Sequence, residues 1–403
     1  MRNVVITGAT LVVAEGTRRS ALTVHDGRIA AQDRAEDAWE LPLPDHLIFP
    51  GLINAHDHLQ LNSIPPLPHA AAFPNSYAWI AAFRPYLAAP AVRAATAVAA
   101  DERYRHGGLK NLLSGATTVL HHDPWHPSLG EDSFPVRVLR DFHWSHSLGL
   151  GLEGGTVGLP PYGPPVVESY GAAPPRLPWI IHLGEGTDQV AAAELARLDE
   201  LGCLGANTVL VHGVGLSAHD VELVIARGAG VIWCPASNLA VLGRTLEPRT
   251  LFGAGRLALG SDSRLTGSRD LLSELRVAAT HSDLNPRELL QLATTDAARL
   301  LRAPQVGGLE PGQQADLLVL RDSGEDPYRQ LLNASRAELR AVVRDGAPAV
   351  ADVDLAAWFA ACGLEAASVR LDGRPKLVAR RYLRPARPPE TGLTEPGLTW
   401  RAA

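Results

Sequence analysis

The sequence predicts an α/β fold, a TIM-like (β/α)8 barrel over residues 49–306, from two observations. Short, fully apolar runs alternate there with stretches whose apolar residues recur every three or four positions, which is typical of parallel strands covered by helices. Roughly seven or eight such units in about 250 residues fit a closed barrel better than an open doubly wound sheet. The predicted strands are Leu52–Ala55, Ala116–Leu120, Val136–Phe142, Trp179–His182, Thr208–His212, Gly230–Cys234 and Arg256–Gly260. We expect the eighth strand within residues 150–178, a segment rich in glycine and proline.

Three segments between these strands are predicted helices. Val190–Leu201 has helical apolar spacing. Ser217 starts a Ser-x-x-Asp pattern that resembles a capping box, and the helix should run through Ile225. Asn285 is a predicted cap, followed by a proline at the first helical position, and this helix should reach Leu301.

The two ends of the chain carry a β pattern instead. Residues 1–48 contain the strand-like runs Val4–Ile6, Thr10–Val13 and Ala21–Val24, with a hairpin turn at Asp26-Gly27. The β pattern returns from Gly307. We therefore expect residues 1–48 and 307–383 to form a small composite β-sandwich beside the barrel, followed by a proline-rich surface tail at 384–403.

Composition excludes several classes of function. The chain has 403 residues and a net charge of -6, without a basic face that would suit nucleic acid. Its three cysteines lie far apart, which argues against a disulfide scaffold or a thiolate zinc site and fits a reducing compartment. Neither a signal peptide nor an unbroken apolar run of about 20 residues is evident. We expect a cytoplasmic protein that does not bind membranes.

The first predicted barrel strand ends in two histidines one residue apart. On an extended chain, the side chains of residues i and i+2 point to the same side, so His56 and His58 can reach one metal ion together. Taken alone, the pair could equally decorate a strand edge, because a motif match needs a structural context.

That context is the set of polar residues at the carboxyl ends of the other strands, where barrel active sites are built. His182, His212 and Asp262 each end a predicted strand, and Glu185 follows His182 by three residues. A core histidine explains any one of these positions, but four strands ending alike make coincidence a poor explanation for all. Imidazoles with one carboxylate suit Zn²⁺, with Fe²⁺ as an alternative.

The same residues indicate a chemistry. Three neutral histidines plus Asp262 leave one metal position open for water, whose pKa would fall toward about 7 on the metal. Glu185 could carry a proton to the leaving or ring nitrogen, and His212 could orient and polarise the attack.

In order along the chain, these motifs resemble the amidohydrolase superfamily, and most closely its chlorohydrolase and deaminase branch, which includes guanine deaminase, adenosylhomocysteine/methylthioadenosine deaminase and the triazine hydrolases. The resemblance covers residues 3 to 345. It implies a metal-dependent barrel with a composite β-sandwich, one metal on His56, His58, His182 and Asp262, and Glu185 and His212 as catalytic residues. The motifs that carry it are Pro50-Gly51-Leu52-Ile53-Asn54-Ala55-His56-Asp57-His58, His182-Leu183-Gly184-Glu185, Val211-His212-Gly213, Cys234-Pro235-Ala236-Ser237-Asn238-Leu239, Leu259-Gly260-Ser261-Asp262 and Gly308-Leu309-Glu310-Pro311-Gly312-Gln313-Gln314-Ala315-Asp316-Leu317.

Two departures from the superfamily pattern matter. Binuclear members bridge their metals through a carboxylated lysine between the first and third histidine positions, where this chain has only Lys110, in a helix-like segment before a strand. We therefore expect one metal ion. The region between His146 and Trp179 is also short for this branch, so the substrate does not transfer by analogy.

Residues in the loops after the strands are candidates for substrate binding. We expect Trp125, His146 and Asn238 to line the pocket, and give less weight to Arg244. The alternative for each is packing at the barrel rim. His69, His106, His219 and His281 are expected at the surface.

The main functional hypothesis is a hydrolase that uses metal-bound hydroxide to cleave a C–N bond of a heterocyclic or amidine-like small molecule. Glu185 favours deamination, because a proton must reach the leaving nitrogen. Hydrolysis of an amide or cyclic amide at the same mononuclear site is the alternative, and a non-catalytic scaffold of the same fold is a remote one. The expected partner is a small-molecule substrate, and a homodimer is one assembly that we allow for.

Overall fold

The computed structural model describes residues 3–31, 38–151, 158–383, 393 and 395–399. Its strands are β1 (Val4–Thr7), β2 (Thr10–Val13), β3 (Gly16–Arg19), β4 (Leu22–His25), β5 (Arg28–Ala30), β6 (Trp39–Pro42), β7 (His46–Pro50), β8 (Leu52–Asp57), β9 (Ala116–His121), β10 (Arg137–Val138), β11 (His143–Ser147), β12 (Trp179–Leu183), β13 (Thr208–His212), β14 (Gly230–Trp233), β15 (Leu257–Leu259), β16 (Leu317–Arg321), β17 (Ala341–Arg344), β18 (Ala347–Asp352), β19 (Ala366–Leu371), β20 (Arg374–Ala379) and β21 (Leu398–Thr399).

The helices lie mainly between the strands of the middle region. They are α1 (Ser76–Tyr86), α2 (Pro90–Ala97), α3 (Ala100–Leu113), α4 (Leu148–Gly151), α5 (Val166–Ala172), α6 (Gln189–Ala192), α7 (Glu194–Glu200), α8 (Ala218–Ala226), α9 (Pro235–Leu242), α10 (Arg249–Gly253), α11 (Leu271–Thr280), α12 (Pro286–Leu292), α13 (Thr295–Leu300), α14 (Pro327–Asn333) and α15 (Ala356–Ala361). Across the described part of the chain, none of these helices has the length and apolarity needed to cross a membrane.

Two parallel sheets form the middle of the molecule. One has the order β10-β9-β8 and the other the order β11-β12-β13-β14-β15, and all their pairings are parallel. Parallel sheets in α/β proteins are buried on both faces, which explains why most of these strands are apolar throughout.

Side chains from both sheets meet in one apolar cluster. Ile53 and Leu120 from the first sheet pack with Ile180, Val209 and Ile232 from the second, and all are buried. Just beyond the carboxyl end of β15, the Asp262 N–H donates to the His56 carbonyl at 3.0 Å and joins the second sheet to the first. The carboxyl ends of β8 and β15 are therefore held side by side.

Strands from both ends of the chain share a third sheet. Its order is β21-β19-β20-β18-β17-β16-β7-β2-β3, so β2, β3 and β7 extend a sheet of C-terminal strands. A fourth sheet has the order β5-β4-β1-β6. The predicted Asp26-Gly27 hairpin is confirmed: His25 pairs with Arg28, and both turn residues have positive φ.

Several predicted boundaries need correction. The eighth strand is not within 150–178, where residues 150–151 and 158–178 contain helices and no strand, and 152–157 lie outside the described residues. Instead, the predicted strand Val136–Phe142 is replaced by two strands, β10 and β11. Loop residues between them reorient the chain, which an apolar run alone does not reveal.

The predicted starts of the helices agree with the structure better than their predicted ends do. Ser217 and Asn285 both form capping boxes, and Pro286 is at the first helical position as predicted. The helix expected to reach Leu301 is interrupted at Thr294, whose backbone leaves helical geometry between α12 and α13. Val190–Leu201 is similarly divided into α6 and α7.

Candidate metal centre

The structure brings His56, His58, His182 and Asp262 together at the strand ends. The Nε2 atom of His182 lies 3.3 Å from the Nε2 atoms of both His56 and His58. Ligand atoms of His56, His58 and Asp262 lie within 4.8 Å of one another. All four residues are buried. The two His-x-His residues come from the end of β8, and the other two come from separate strand ends of the second parallel sheet.

Hydrogen bonds at the opposite ring nitrogens fix the tautomers of two of these histidines. His58 Nδ1 contacts the Asp123 carboxylate at 2.7 Å, and His182 Nδ1 contacts the His146 carbonyl at 2.7 Å. Since a carbonyl can only accept, His182 carries its proton on Nδ1 and turns the Nε2 lone pair toward the other imidazoles. Asp123 orients His58 in the same way.

The carboxylate of Asp123 is held by three donors. Besides His58, Gln60 Nε2 lies 2.6 Å from Oδ2, and the Tyr162 hydroxyl lies 2.6 Å from Oδ1. Burial alone would raise the pKa of Asp123, but His58 and the hydrogen bond from Tyr162 lower it. In return, Asp123 outweighs the effect of burial on His58 and raises the pKa of that imidazole to about 9. Asp123 was not among the site residues predicted from the sequence; the available signal was an acidic residue just after the strand next to the His-x-His strand.

Asp262 is similarly fixed by its neighbours. Its Oδ2 accepts hydrogen bonds from the Ser237 hydroxyl at 2.7 Å and the Thr266 hydroxyl at 2.8 Å, and its Oδ1 accepts from the Ser263 N–H at 2.6 Å. Burial alone would raise the pKa of Asp262, but the nearby His58 and His212 lower it. Asp262 also has a φ of 54°, a left-handed backbone that non-glycine residues adopt at a cost. These contacts keep the carboxylate ionised and aimed at the histidines.

Glu185 and His212 form a second pair beside the cluster. The Glu185 carboxylate lies 3.5 Å from His212 Nε2, and burial raises the pKa of Glu185. His212 Nδ1 donates to the Asn238 amide oxygen at 2.8 Å, which leaves Nε2 directed at Glu185. His212 also has positive φ, at 77°. The pair combines a carboxyl that holds its proton more tightly than usual with an oriented imidazole.

Lys110 lies in a polar layer below the cluster. Its Nζ is 3.1 Å from the Asp57 carboxylate and 3.0 Å from the Asp262 carbonyl, and it also donates to the Ser261 hydroxyl at 3.2 Å. Both Lys110 and Asp57 are fully buried. Three oxygen acceptors therefore hold this ammonium in place beneath the strand ends.

His122 is a further histidine beside the cluster that was not predicted as a ligand. It forms a second group of candidate ligands with His56 and His182, and its ring stacks on His182 at a centroid distance of 4.5 Å. Its Nε2 contacts the Ser145 carbonyl at 3.1 Å, while its buried Nδ1 has no hydrogen-bond partner among the described residues.

A cavity of about 400 Å³ opens above the cluster. Its floor contains His58, His182, Glu185, His212 and Asp262. His146, predicted as a substrate contact, also lines it, and burial lowers the pKa of His146 to about 4.

Two predicted substrate contacts lie elsewhere. Trp125 is exposed and packs against the Arg140 guanidinium, 4.1 Å from the ring centroid, outside the cavity lining. Asn238 is buried and uses both ends of its amide, one toward His212 and one toward Thr245. The prediction that both line the pocket needs correction: neither is among the lining residues, and the Asn238 amide is taken up by His212 and Thr245. Arg244 is exposed and also lies outside the lining.

His106 and part of the C-terminal segment also differ from expectation. His106, expected at the surface, is buried, and its Nε2 lies 3.4 Å from the Glu395 carboxylate. Glu395 and Leu398 are buried as well, and β21 pairs with β19. The described part of residues 384–403 is therefore packed into the structure, because Glu395 meets basic side chains that its sequence context did not indicate.

Known amidohydrolases and deaminases are similar to this chain in sequence. The profile of the amidohydrolase family matches residues 176–350. The 8-oxoguanine deaminase of Pseudomonas aeruginosa is 27% identical, with 84% of this chain and 92% of that protein covered. A 5-methylthioadenosine/S-adenosylhomocysteine deaminase of Syntrophobacter fumaroxidans is 33% identical over a shorter match, which covers 36% of this chain and 37% of that protein.

Solved structures show the same fold. A zinc-bound adenosine deaminase from Xanthomonas campestris superposes with a TM-score of 0.68 at 22% identity, covering 90% of this chain and 97% of that one. Atrazine chlorohydrolase TrzN from Arthrobacter aurescens, complexed with zinc, gives a TM-score of 0.68 at 20% identity, covering 86% and 95%. The predicted resemblance to the amidohydrolase superfamily and its deaminase and chlorohydrolase branch is confirmed, and with it a TIM-barrel-type α/β fold.

Proposed function

We propose that this chain, an amidohydrolase by its matched profile and relatives, is a metal-dependent aminohydrolase that removes an amino group from a heterocyclic small molecule. One water would be consumed and one ammonia released. The observation that carries the proposal is the convergence of three imidazole Nε2 atoms, those of His56, His58 and His182, beside the Asp262 carboxylate.

The donor set fits a divalent ion. His58 and His182 both make a hydrogen bond at Nδ1, so that each turns its Nε2 toward the metal position. Because the pKa of His58 is raised to about 9, a metal bound there would displace the proton from its Nε2. Burial lowers the pKa of His56 and His182 well below the usual range, which keeps both rings in the neutral form that metals require. Three histidines and one carboxylate are typical zinc ligands, and iron is the alternative.

We assign a single ion to His56, His58, His182 and Asp262. The bridging lysine of a binuclear centre has no counterpart here, because Lys110 is engaged by Asp57 and the Asp262 carbonyl. A divalent ion bound at this position supplies a nucleophile at neutral pH by lowering the pKa of a water ligand.

Two residues would handle protons and orientation. Glu185 lines the cavity floor, and its raised pKa suits a group that must hold a proton and then donate it to the departing nitrogen. His212, held by Asn238, would orient the attacking water and polarise the reacting carbon's substituent through Nε2. Asp262, held by three donors, would both bind the metal and accept a proton from the water.

The proposal extends to the barrel and the β-sandwich that surround the site. We infer that the two parallel sheets close into one (β/α)8 barrel over residues 49–306, supported by the shared apolar cluster and the hydrogen bond between Asp262 and His56. Residues 1–48 and 307–383 would form the composite β-sandwich. The cytoplasmic location and a homodimer remain predictions.

Substitution of Glu185 by glutamine tests the reaction. The variant keeps the size of the side chain but cannot donate an acidic proton, so we expect metal content to stay and ammonia release to fall by about 10²-fold or more. The assay is ammonia release from a panel of purines, pyrimidines, triazines and small cyclic amides, with metal analysis of both proteins. Unchanged turnover would remove Glu185 from the chemistry. Ring-opened acid without ammonia would establish the rival, cyclic-amide hydrolysis, and metal below about a tenth of an equivalent would favour a non-catalytic scaffold.

A further inference from the structure

We propose that the substrate carries a bulky apolar substituent, a phenyl or branched alkyl group, and that the outer part of the cavity binds it. This inference rests on the proposed function and names the class of heterocycle on which it acts. It comes from the division of the cavity into a polar floor and an apolar wall.

The polar and apolar side chains that line the cavity are segregated. The histidines and carboxylates gather at the floor, where the metal ligands lie, whereas the outer wall is formed mainly by hydrocarbon, with Arg84 and Tyr162 as its titratable members. The apolar lining residues include Trp79, Ile80, Phe83, Leu159, Pro161 and Leu265. A ligand with its amine at the floor would therefore extend into apolar surroundings.

An aromatic pair on α1 forms the centre of this wall. The rings of Trp79 and Phe83 are stacked with centroids 5.0 Å apart and an interplanar angle of 8°. Both side chains are only partly buried, although they pack against the small cluster around Ile64 and Leu265. Partly exposed aromatic faces at a cavity offer apolar area that a ligand can cover.

Helix α1 is also tied to the loop that carries Glu185. The Ser76 N–H donates to the Glu185 carbonyl at 2.9 Å, and the Thr187 N–H donates to the Pro74 carbonyl at 2.8 Å. The apolar wall and the proposed proton donor are therefore held in fixed relation. A substituent seated on Trp79 and Phe83 would help to set the position of the reacting carbon.

Most polar side chains of the lining are already engaged within the protein. Gln60 and Tyr162 donate to Asp123, and the Thr266 hydroxyl donates to Asp262. Arg84 also lines the cavity, as an exposed side chain next to Phe83 on α1, and could bind a sugar hydroxyl. Sugar hydroxyls placed against the hydrocarbon of the wall would lose water without gaining partners there. The wall therefore favours an apolar substituent over a ribosyl group.

Matched ligand pairs test the inference. Binding would be measured by calorimetry to zinc-loaded Glu185→Gln protein, in which turnover is suppressed. The probes are adenine, 9-benzyladenine and adenosine, together with 2,4-diamino-1,3,5-triazine and its 6-phenyl derivative. We expect each phenyl-bearing compound to bind about 10-fold or more tightly than its parent, since one buried ring removes a large apolar area from water. We also expect 9-benzyladenine to bind more tightly than adenosine.

A second pair of variants locates the effect. In the same background, Phe83→Ala should reduce the advantage of the phenyl group to about 3-fold or less. Phe252→Ala is the matched control, because Phe252 is an equally large, partly buried ring on α10, outside the cavity lining. It should leave the advantage intact.

Three results would overturn the inference: parents that bind as tightly as their phenyl derivatives, adenosine that binds more tightly than 9-benzyladenine, or phenyl compounds that do not bind. Loss of the phenyl advantage in Phe252→Ala but not in Phe83→Ala would also contradict it. Failure of the proposed function looks different: phenyl compounds would bind tightly to Glu185→Gln, yet the unmodified enzyme would release no ammonia from them.

Discussion

Replacing Asp123 by asparagine should weaken metal binding without unfolding the protein. Asp123 Oδ2 accepts from His58 and Gln60, and Oδ1 accepts from the Tyr162 hydroxyl. An asparagine can keep its oxygen toward His58 and Gln60 if its amide NH2 faces the Tyr162 hydroxyl, which can rotate to accept. The substitution therefore removes chiefly the negative charge behind the His58 ring.

The expected loss of zinc affinity follows from removing this one negative charge. Orienting partners of metal-bound histidines contribute about 10–100-fold to affinity or activity. Because the substituted asparagine would retain one acceptor to His58, we expect the lower end, a zinc affinity about 10-fold weaker, which corresponds to about 1.4 kcal/mol. Competition with a fluorescent zinc chelator at fixed pH measures the change.

Tyr162→Phe is the control for this variant. It removes only the donor to the far oxygen and leaves the charge and both contacts of Oδ2 in place, so the zinc affinity should fall about 3-fold or less. An Asp123→Asn protein whose zinc affinity lies within about 2-fold of the unmodified protein would refute the reasoning, since the His58 ring would then need no anionic partner.

Two further predictions concern buried carboxylates that the site does not use. Burial raises the pKa of Glu274 to about 8, above the unfolded value near 4.3. The protonated Glu274 side chain therefore contributes its full stability below about pH 4, and this contribution is lost as the pH rises through about 8. Glu274→Gln, which cannot ionise, should therefore raise the melting temperature at about pH 8.5 relative to the unmodified protein and change it little at about pH 5; equal melting temperatures at both pH values would contradict this assignment. Glu395 accepts hydrogen bonds from both terminal nitrogens of Arg264, at 2.8 and 2.7 Å, and contacts Arg336 and His106. Glu395→Gln leaves the Arg264 guanidinium without its anion, whereas Arg336 keeps the Asp372 carboxylate, so the substitution should lower the free energy of unfolding by about 3 kcal/mol. Denaturant titration measures this loss against Glu365→Gln, an exposed carboxylate near Arg380; a loss below about 1 kcal/mol would show that the Arg264 guanidinium finds another partner.

The parallel strands and the residues at their ends were predictable because two local signals coincide there. Parallel strands are apolar on both faces, so β8, β9, β12, β13, β14 and β15 stand out as short uninterrupted runs. The polar residue that ends such a run lies at the same edge of the sheet as its counterparts. His56, His182 and Asp262 were found in this way, although about two hundred positions separate the first from the last.

The features that could not be predicted from the sequence depend on tertiary contacts. Asn238 looked like a substrate contact, because nothing local shows that its amide faces His212 and Thr245. Trp125 follows a strand, but its ring turns outward to Arg140. The strand β11 was missed because its residues His143–Ser147 are polar and aromatic rather than aliphatic. Each error concerns the direction of a side chain or strand, which the fold decides and composition does not.

Anomalous diffraction from crystals of the zinc-loaded protein, recorded at the zinc edge, tests the central claim most directly. We predict one peak, about 2.0–2.2 Å from the nitrogens of His56, His58 and His182 and from an Asp262 oxygen. A peak bound by His122 in place of Asp262, two peaks of equal height, or no peak among these four residues would contradict it.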